Sequence, residues 1–377
     1  MKTRLLSSRP VVALAAVAVL GIVVWGCSTN PVGESPVSVS NNSSAVVLSP
    51  DDASVAAVMA VQDRHTAEIM KVPGVVGVAT GLDPASGKAA IKVYTEKALP
   101  LGLIKQEYDG VKVVQEVTGR IMAMKGGGGG GASHTAKQTP PIQLGCSGGP
   151  TLDLANGYCC GGTLGSLVTK GGTQYILSNS HVFAGDVVSG GNNHSATIGD
   201  DIGQPGLIDV NCSAAGAQVI ADLSSTSSIY PPNNGSNVDC SIAQVRSGMV
   251  RTDGSILEIG TISSSTVGAS VGQAVKKSGR TTGLTRSSIS GLNATINVGY
   301  EDECAGNSFT KQFTGQIVVA NNGSRFLNSG DSGSLMVEDV TTNPRAVGLL
   351  YAGSSSTAIA NPIGQVLSYL GATMVGN

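Results

Sequence analysis

The chain has 377 residues, of which only 13% are charged and 52 are glycine. An average soluble protein is about 25% charged and ~7% glycine, so this composition indicates an extracytoplasmic, β-rich protein. The net charge of -2 provides no basic surface for nucleic acid, and nucleic-acid binding is therefore disfavoured. The length allows two or three domains.

The N-terminus has the pattern of an export signal, predicted to span residues 1–27. Basic residues precede an apolar run at 11–26, which is short for a membrane span of ~20 residues. The run ends in "VVWGC", which resembles the lipobox of bacterial lipoproteins, although Trp25 is bulky for that motif. Cys27 would become the lipidated N-terminus of a membrane-anchored cell-envelope protein. The alternative is ordinary secretion, with cleavage elsewhere.

The remaining cysteines predict disulfides. An even number of cysteines in an exported chain allows up to three bridges, and the pairing stays open. No C-x-x-C or H-x-x-H spacing is present, so we expect no metal, and we expect no cofactor. The cysteines are Cys146, Cys159, Cys160, Cys212, Cys240 and Cys304.

A small α+β domain is predicted at 49–124, after a Ser/Asn/Pro-rich tether at 28–48. Its pattern is α-β-β-α-β, and its first helix is capped by Asp51 or Asp52 and stopped by a Pro-Gly pair. His65 on that helix is interpreted as a surface or packing residue. The predicted strands are 75–82, 89–97 and 111–124, and the second helix is 100–108.

A Gly-rich linker at 125–141 separates this domain from a β-rich domain at 142–377. There, turn residues recur about every ten positions, as expected for an all-β fold. A helix is predicted only at 361–371, with Asn361 as its cap. His134 in the linker and His194 in a polar loop are expected to be exposed to solvent.

Ser332 in the run "SGDSGS" is a candidate nucleophile, since a serine hydroxyl becomes reactive when an imidazole takes its proton and a carboxylate orients that imidazole. All four histidines precede Ser332, which excludes the α/β-hydrolase order. His181 follows the apolar stretch "TQYIL" and Asp239 opens another apolar strand. Burying the Asp239 carboxylate alone would be costly, so we expect a hydrogen-bonding partner for it.

The segments "LSNSHV", "DCSIAQV" and "NSGDSGSLMV" resemble the His, Asp and Ser signatures of chymotrypsin-like serine peptidases, in that family's order. The segment "KKSGRTTGLT" is similar to the single-chain bacterial branch of streptogrisin and α-lytic type. The resemblance covers roughly 145–370. It implies an all-β double β-barrel domain, with His181 and Asp239 on the first barrel and Ser332 on the second, preceded here by the small α+β domain.

The resemblance also implies roles for single residues. Ser332 would attack the scissile carbonyl, His181 would act as base and then acid, and Asp239 would orient His181. The backbone N–H groups of Gly330 and Ser332 would form the oxyanion hole. In the bacterial branch an arginine neutralises the aspartate before the serine, so we expect an Arg280–Asp331 ion pair.

The pocket for the substrate's primary side chain should involve "SRFLN" and "GLLYAGS", which contain no Asp or Glu. An apolar or small side chain is therefore favoured over Arg or Lys. One departure from the family pattern is Ser334, where a second glycine is common.

The sequence thus predicts a serine endopeptidase that hydrolyses peptide bonds in peptides or proteins through an acyl-enzyme. One alternative is a catalytically inactive binding protein of the cell envelope on the same scaffold, and another is surface adhesion through the N-terminal domain. That domain could contact the peptidase as a pro-domain that assists folding or caps the site, or it could be an accessory module.

Overall fold

The computed structural model describes residues 47–124, 132–152, 154–155, 158–184, 196–230, 235–300, 308–323 and 325–377. The signal segment with Cys27, the glycine run, His194, Cys304 and Ser324 lie outside the described residues. No helix within the described ranges is long and apolar enough to cross a membrane. Strands predominate.

The helices in the described ranges are α1 (Ala53–Ile69), α2 (Ala132–Thr135), α3 (Ser180–Phe183) and α4 (Ile363–Leu370), with 3-10 turns at Leu207–Asp209 and Ala214–Gly216. The strands there are β1 (Val75–Leu82), β2 (Ala89–Thr95), β3 (Glu107–Tyr108), β4 (Val111–Val117), β5 (Met122–Ala123), β6 (Cys146–Pro150), β7 (Leu154–Ala155), β8 (Tyr158–Cys159), β9 (Gly162–Leu164), β10 (Ser166–Lys170), β11 (Thr173–Ser178), β12 (Asp201–Gln204), β13 (Gln218–Thr226), β14 (Ser241–Val245), β15 (Ser255–Ile256), β16 (Gly260–Thr261), β17 (Ala274–Gly279), β18 (Gly283–Tyr300), β19 (Phe309–Ala320), β20 (Leu335–Glu338), β21 (Ala346–Gly353), β22 (Thr357–Pro362) and β23 (Thr373–Met374).

The first barrel is built from one sheet in the order β10-β11-β14-β13-β12-β6-β9. Only Gly165 separates β9 from β10, so these are two halves of one bent strand and the sheet closes on itself. A side chain at Gly165 would overlap the carbonyl oxygen of Gly333, which explains the glycine at the bend. The interior is apolar and includes Leu164, Leu167 and Ile220.

The second barrel follows the order β17-β20-β21-β22-β19-β18, and an additional β17–β18 pairing closes it. Strands β18 and β19 are long, with 18 and 12 residues. Their inward side chains, such as Ile289, Ile317 and Val319, pack with Met336 and Leu350. The predicted fold class, a double β-barrel preceded by an α+β region, is confirmed.

The N-terminal region continues the sheet of the second barrel. Strand β1 pairs antiparallel with β18, with Gly77 opposite Ile296, and its other edge pairs with β2. Strand β2 pairs parallel with β4. Helix α1 covers this sheet and packs Val58, Val61 and Ile69 into its apolar core. The junction between β1 and β18 is therefore stabilised by backbone hydrogen bonds as well as by side-chain packing.

Three predicted elements differ from the structure. Residues 100–108 are turns followed by β3 and not a helix, because Gly102 has a φ of 89° that no helical residue adopts. The strand predicted at 111–124 is divided into β4 and β5 around Gly119, whose φ is 74°. The last helix starts at Ile363, after Pro362, while Asn361 belongs to β22.

The structure forms fewer disulfides than the predicted maximum. Cys159 bonds to Cys212, and Cys160 is also disulfide-bonded. Within the described ranges, Cys146 and Cys240 are free, buried thiols. Burial raises the pKa of the Cys146 thiol to about 12, so it stays protonated at neutral pH.

Replacing Gln62 by Leu should destabilise the docking of α1. The Gln62 amide donates to the Asn293 carbonyl of β18 at 2.7 Å and accepts from the Thr80 hydroxyl at 2.7 Å, and Gln62 is 1% exposed. The variant leaves both partners unsatisfied, so we expect the free energy of unfolding to fall by about 1–3 kcal/mol in urea titrations. Gln312→Leu, at an exposed site on β19, is the control and should change it little. Equal effects of the two variants would contradict this assignment.

Candidate active site

The pairing of β11 with β14 brings His181 to Asp239. Ser178 at the end of β11 lies opposite Ser241 at the start of β14. His181 follows that end by three residues in α3, and Asp239 precedes the start of β14 by two. Nδ1 of His181 lies 2.5 Å from Oδ2 of Asp239, and the two side chains are 1% and 0% exposed. The partner expected for the buried Asp239 carboxylate is therefore His181.

Further donors hold the Asp239 carboxylate. Its Oδ1 accepts the backbone N–H of His181 at 3.2 Å, and its Oδ2 accepts the Tyr300 hydroxyl at 3.0 Å. Burial, and then the charge of Asp239, raise the pKa of Tyr300 well above its usual value, so the phenol stays a donor. The ring of Tyr300 lies edge-on to His181, with centroids 5.8 Å apart. Tyr300 thus both bonds the carboxylate and packs on the imidazole.

Two asparagines fix the backbone at residue 239. The Asn179 amide donates to the Asp239 carbonyl at 2.7 Å, and the Asn361 amide oxygen accepts the Asp239 N–H at 3.2 Å. Sequence reasoning missed Tyr300 and misassigned Asn361 as a helix cap. In the sequence Tyr300 looks like any aromatic residue of a strand. The hydrogen bond of Asn361 joins residues that are 122 positions apart, so no local pattern indicates it.

The other imidazole nitrogen, Nε2 of His181, is buried and has no hydrogen-bond partner among the described residues. With Nδ1–H donating to the carboxylate, the lone pair is on Nε2. Nε2 is therefore the ring nitrogen of His181 that can accept a further hydrogen bond.

Ser332 lies in the turn before β20, and this turn packs against the first barrel. Its carbonyl accepts the N–H of Thr163 in β9 at 2.8 Å, and Gly333 lies so close to Ser178 that a side chain at 333 would overlap the Ser178 hydroxyl. Gly333 also has a φ of 93°. The serine turn therefore faces the end of the strand that leads to His181. The Ser332 hydroxyl donates to the Tyr351 carbonyl at 3.0 Å and not to the imidazole.

The Asp331 carboxylate is the internal anchor of this turn and is fully buried. One oxygen lies 3.3 Å from the Lys277 ammonium, which is also fully buried. Burial lowers the pKa of Lys277, while the Asp331 charge opposes that shift. The remaining donors to Asp331 are the N–H of Thr281 at 2.9 Å, of Thr282 at 3.1 Å and of Asn328 at 3.0 Å, and the Thr282 hydroxyl at 2.7 Å.

The predicted Arg280–Asp331 ion pair is wrong. The Arg280 guanidinium forms a two-point ion pair with Asp209 of the first barrel, at 2.6 and 2.7 Å, and the Ser147 hydroxyl donates to the same carboxylate at 2.5 Å. The forked guanidinium matches two carboxylate oxygens. The cation beside Asp331 is Lys277, which lies three residues before Arg280 in the same motif. Arg280 instead joins the two barrels.

A segment of the N-terminal region lies along β21. Strand β5 pairs antiparallel with it, with Ala123 opposite Ala352 and Met122 opposite Gly353. The N–H of Met124 donates to the Tyr351 carbonyl at 3.1 Å. The Met124 carbonyl accepts the N–H of Gly330 at 2.8 Å. Gly330, with a φ of 96°, is the residue predicted to donate to an oxyanion.

The other histidines lie elsewhere. His134 was predicted to be exposed but is 3% exposed, and its ring nitrogens contact the Gly145 carbonyl at 2.8 Å and Glu258 at 2.7 Å. His134, which lies inside the predicted linker at 125–141, thus attaches that segment to Gly145 and Glu258. His65 contacts Asp109 and Glu68 on the surface of α1. In the described part of the chain no group of His, Cys, Asp and Glu is arranged to hold a metal ion.

Comparison with known proteins gives partial matches. The family of the Nal1 C-terminal domain matches residues 236–361, a range that contains Asp239 and Ser332 but not His181. No curated protein matches the chain significantly. Similar solved structures include a glutamic acid-specific serine protease, at 20% identity over 62% of this chain and 100% of that one with a TM-score of 0.40. Thermobifida fusca protease A is 18% identical over 63% of this chain and 99% of its own, with a TM-score of 0.40. Cellulomonas bogoriensis chymotrypsin is 18% identical over 57% of this chain and 91% of its own, with a TM-score of 0.35.

Replacing Lys277 by Met should strongly destabilise the protein. The variant leaves the Asp331 charge buried without its cation, and removing one partner of a buried pair costs about 3–5 kcal/mol. The free energy of unfolding measured in urea should fall by that amount. The neighbouring Lys276 is also buried but bonds only the Val340 carbonyl in the described structure, so Lys276→Met should cost about 1 kcal/mol. A larger loss for Lys276→Met than for Lys277→Met would contradict the assignment.

Proposed function

We propose that this chain is a serine endopeptidase that hydrolyses peptide bonds through an acyl-enzyme, with Ser332 as nucleophile, His181 as base and Asp239 as the group that orients His181. The observation that carries the proposal is the extended segment at 122–124, which lies against β21 with a peptide carbonyl on the N–H of Gly330. The site therefore has the means to hold an extended peptide beside a serine hydroxyl.

Peptide binding follows from the edge of β21. An added strand gains affinity from backbone hydrogen bonds, which any peptide can make. In the structure the Tyr351 carbonyl accepts the N–H of Met124, and the Gly330 N–H donates to the carbonyl of the same residue. A bound peptide would make the same two hydrogen bonds. Substrates would be peptides or unfolded protein segments in extended form.

The proposed chemistry begins with a rotation of the Ser332 hydroxyl. The Ser332 hydroxyl turns from the Tyr351 carbonyl to Nε2 of His181, which takes its proton as Oγ attacks the substrate carbonyl carbon. The N–H of Gly330 stabilises the oxyanion, a donor of a kind worth about 3–4 kcal/mol. The Asp239 carboxylate stabilises the imidazolium that forms. His181 then protonates the leaving amine, and water hydrolyses the ester by the reverse sequence.

The N-terminal region, in this proposal, is a cap on the peptidase. Its sheet is continuous with β18 of the second barrel, and its β5 and Met124 occupy the place of a substrate. This favours the pro-domain interpretation over an accessory or docking module with no inhibitory role. We also propose export of the chain, anchored through a lipid on Cys27 or secreted without it.

A second candidate function is binding without turnover. The observation in its favour is that the Ser332 hydroxyl donates to the Tyr351 carbonyl and leaves His181 Nε2 without a partner. A binding protein would need no activated serine, so reactivity separates the two candidates.

A fluorophosphonate probe should label Ser332 in the full chain, because an activated serine attacks the probe's phosphorus. Labelling, with the adduct located by mass spectrometry, should be absent from Ser332→Ala and His181→Ala, and wild-type protein should also digest casein. Circular dichroism checks that the variants are folded. Folded wild-type protein that is neither labelled nor active on casein would favour the binding function.

Replacing Met124 by Asp should open the site. Met124 is 8% exposed and packs among apolar side chains, so a carboxylate there is unfavourable and the segment should leave β21. We expect Ser332 of this variant to react with the probe about tenfold faster or more than intact wild-type chain, since a cost of ~1.4 kcal/mol already changes an equilibrium tenfold. Met249→Asp, in the first barrel, is the matched control. Equal labelling rates for intact wild-type chain and Met124→Asp would argue against a cap.

A further inference from the structure

We infer that the primary pocket of this site selects a long, unbranched apolar side chain such as methionine, and that the chain's own Met124 is its first substrate, cleaved on its carboxyl side. This inference rests on the proposed peptidase function and names the substrate class of the same site. It follows from where the backbone of Met124 is held and what surrounds its side chain.

The backbone contacts identify Met124 as the residue on the acyl side of a scissile bond. Its carbonyl oxygen accepts the N–H of Gly330, two residues before Ser332, at 2.8 Å. Its N–H donates at 3.1 Å to the Tyr351 carbonyl, which also accepts the Ser332 hydroxyl at 3.0 Å. The Met124 backbone and the Ser332 hydroxyl therefore share one acceptor, which places them side by side.

The side chain of Met124 enters the protein beside Gly353. A Cβ placed on Gly353 would lie 2.7 Å from the Thr357 carbonyl oxygen, 3.1 Å from the terminal methyl of Met124 and 3.3 Å from a methyl of Leu327. The glycine thus leaves the space that the methyl group of Met124 uses. Phe326 and Leu327 are 1% and 0% exposed and belong to the same apolar cluster as Met124.

Asn321 fixes the width of this pocket. Its amide oxygen accepts the N–H groups of Phe326 at 3.1 Å and Leu327 at 2.7 Å. Its amide nitrogen donates to the carbonyls of Leu327 at 2.9 Å and Ser354 at 2.6 Å. The wall at 326–327 is thereby tied to the wall at 353–354, and Asn321 itself is fully buried.

The pocket's chemistry then determines which side chains fit. A charged or amide side chain would lose its water with no partner in an apolar cluster, and such burial is strongly unfavourable. A β-branched side chain is wide at the entrance and stiff at χ1, whereas methionine is narrow, flexible and adapts to irregular apolar space. Leucine should be accepted less well than methionine, and lysine, glutamine and glutamate should be rejected.

The cleavage step in the intact chain is balanced. Ser332 Oγ forms a bond to the carbonyl carbon of Met124, and its proton passes to Nε2 of His181. The bond from that carbon to the nitrogen of Lys125 breaks, and the proton goes from His181 to the departing amine. Water then adds to the ester and restores Ser332, so the products are a fragment that ends in the Met124 carboxylate and one that begins with the Lys125 amine.

The test is a time course of the purified full chain by intact-mass spectrometry and N-terminal sequencing. We expect a new N-terminus at Lys125, no cleavage in Ser332→Ala, and cleavage of Met124→Leu within about tenfold of wild type. Met124→Gln should be cleaved about 100-fold more slowly. Its side-chain amide would lose its hydrogen bonds to water and find no partner in the apolar pocket, which weakens binding of the segment. Met249→Gln, the same change in the first barrel, should leave the rate unchanged.

Peptides of sequence Ile-Met-Ala-X-Lys-Gly supply a second measurement, with kcat/KM for X = Met expected to exceed that for Gln or Lys by about 100-fold. Fluorophosphonate labelling of Ser332 is followed in the same samples. Labelling of Ser332 together with digestion of casein supports the peptidase function. If, in the same samples, the bond after Met124 stays intact or the peptides are all cut equally well, the inference about Met124 is overturned while the peptidase function stands. Cleavage after Met124 in Ser332→Ala would also overturn it. An unlabelled Ser332 without any cleavage would overturn both.

Discussion

The buried carboxylate of Asp331 is the constraint on which the site depends. It receives the Lys277 ammonium and backbone N–H groups from Thr281, Thr282 and Asn328. Burying a carboxylate in an apolar interior is costly without such donors, so the contacts to Asp331 hold the turn that carries Ser332 in one arrangement against the turn between β17 and β18. That arrangement determines where the N–H of Gly330 and the hydroxyl of Ser332 lie.

The same turn also depends on the contact between the barrels. Arg280, which immediately precedes Thr281, forms an ion pair with Asp209 of the first barrel. The backbone N–H of Thr163, also in the first barrel, donates to the Ser332 carbonyl. His181 and Asp239 belong to that barrel. The position of Ser332 relative to His181 is therefore set by contacts across the interface, and the long β18 contributes Tyr300 to the same assembly.

The N-terminal region uses the second barrel in two ways. Its β1 extends the sheet through β18, and the short β5 places Met124 on Gly330. The pairing of β1 with β18 involves neither Met124 nor Gly330, so a break in the chain after Met124 would remove none of its backbone contacts. The sheet pairing and the contact of Met124 with Gly330 are thus separate physical interactions, and a change at residue 124 can affect one without the other.

The sequence by itself determined the fold class, and it predicted Ser332, His181 and Asp239 as candidate site residues because they lie in short local motifs with a definite order. It also predicted the first helix and the hairpin at 170–173, whose turn residues act locally. Only the tertiary structure decided the partners. Lys277 and Arg280 lie three residues apart and more than 50 residues before Asp331, and only the fold shows that Lys277 contacts Asp331 while Arg280 reaches Asp209 across the interface. The burial of His134, the role of Asn361 and the position of Met124 depend on contacts between residues 11 to more than 200 positions apart, which local patterns do not carry.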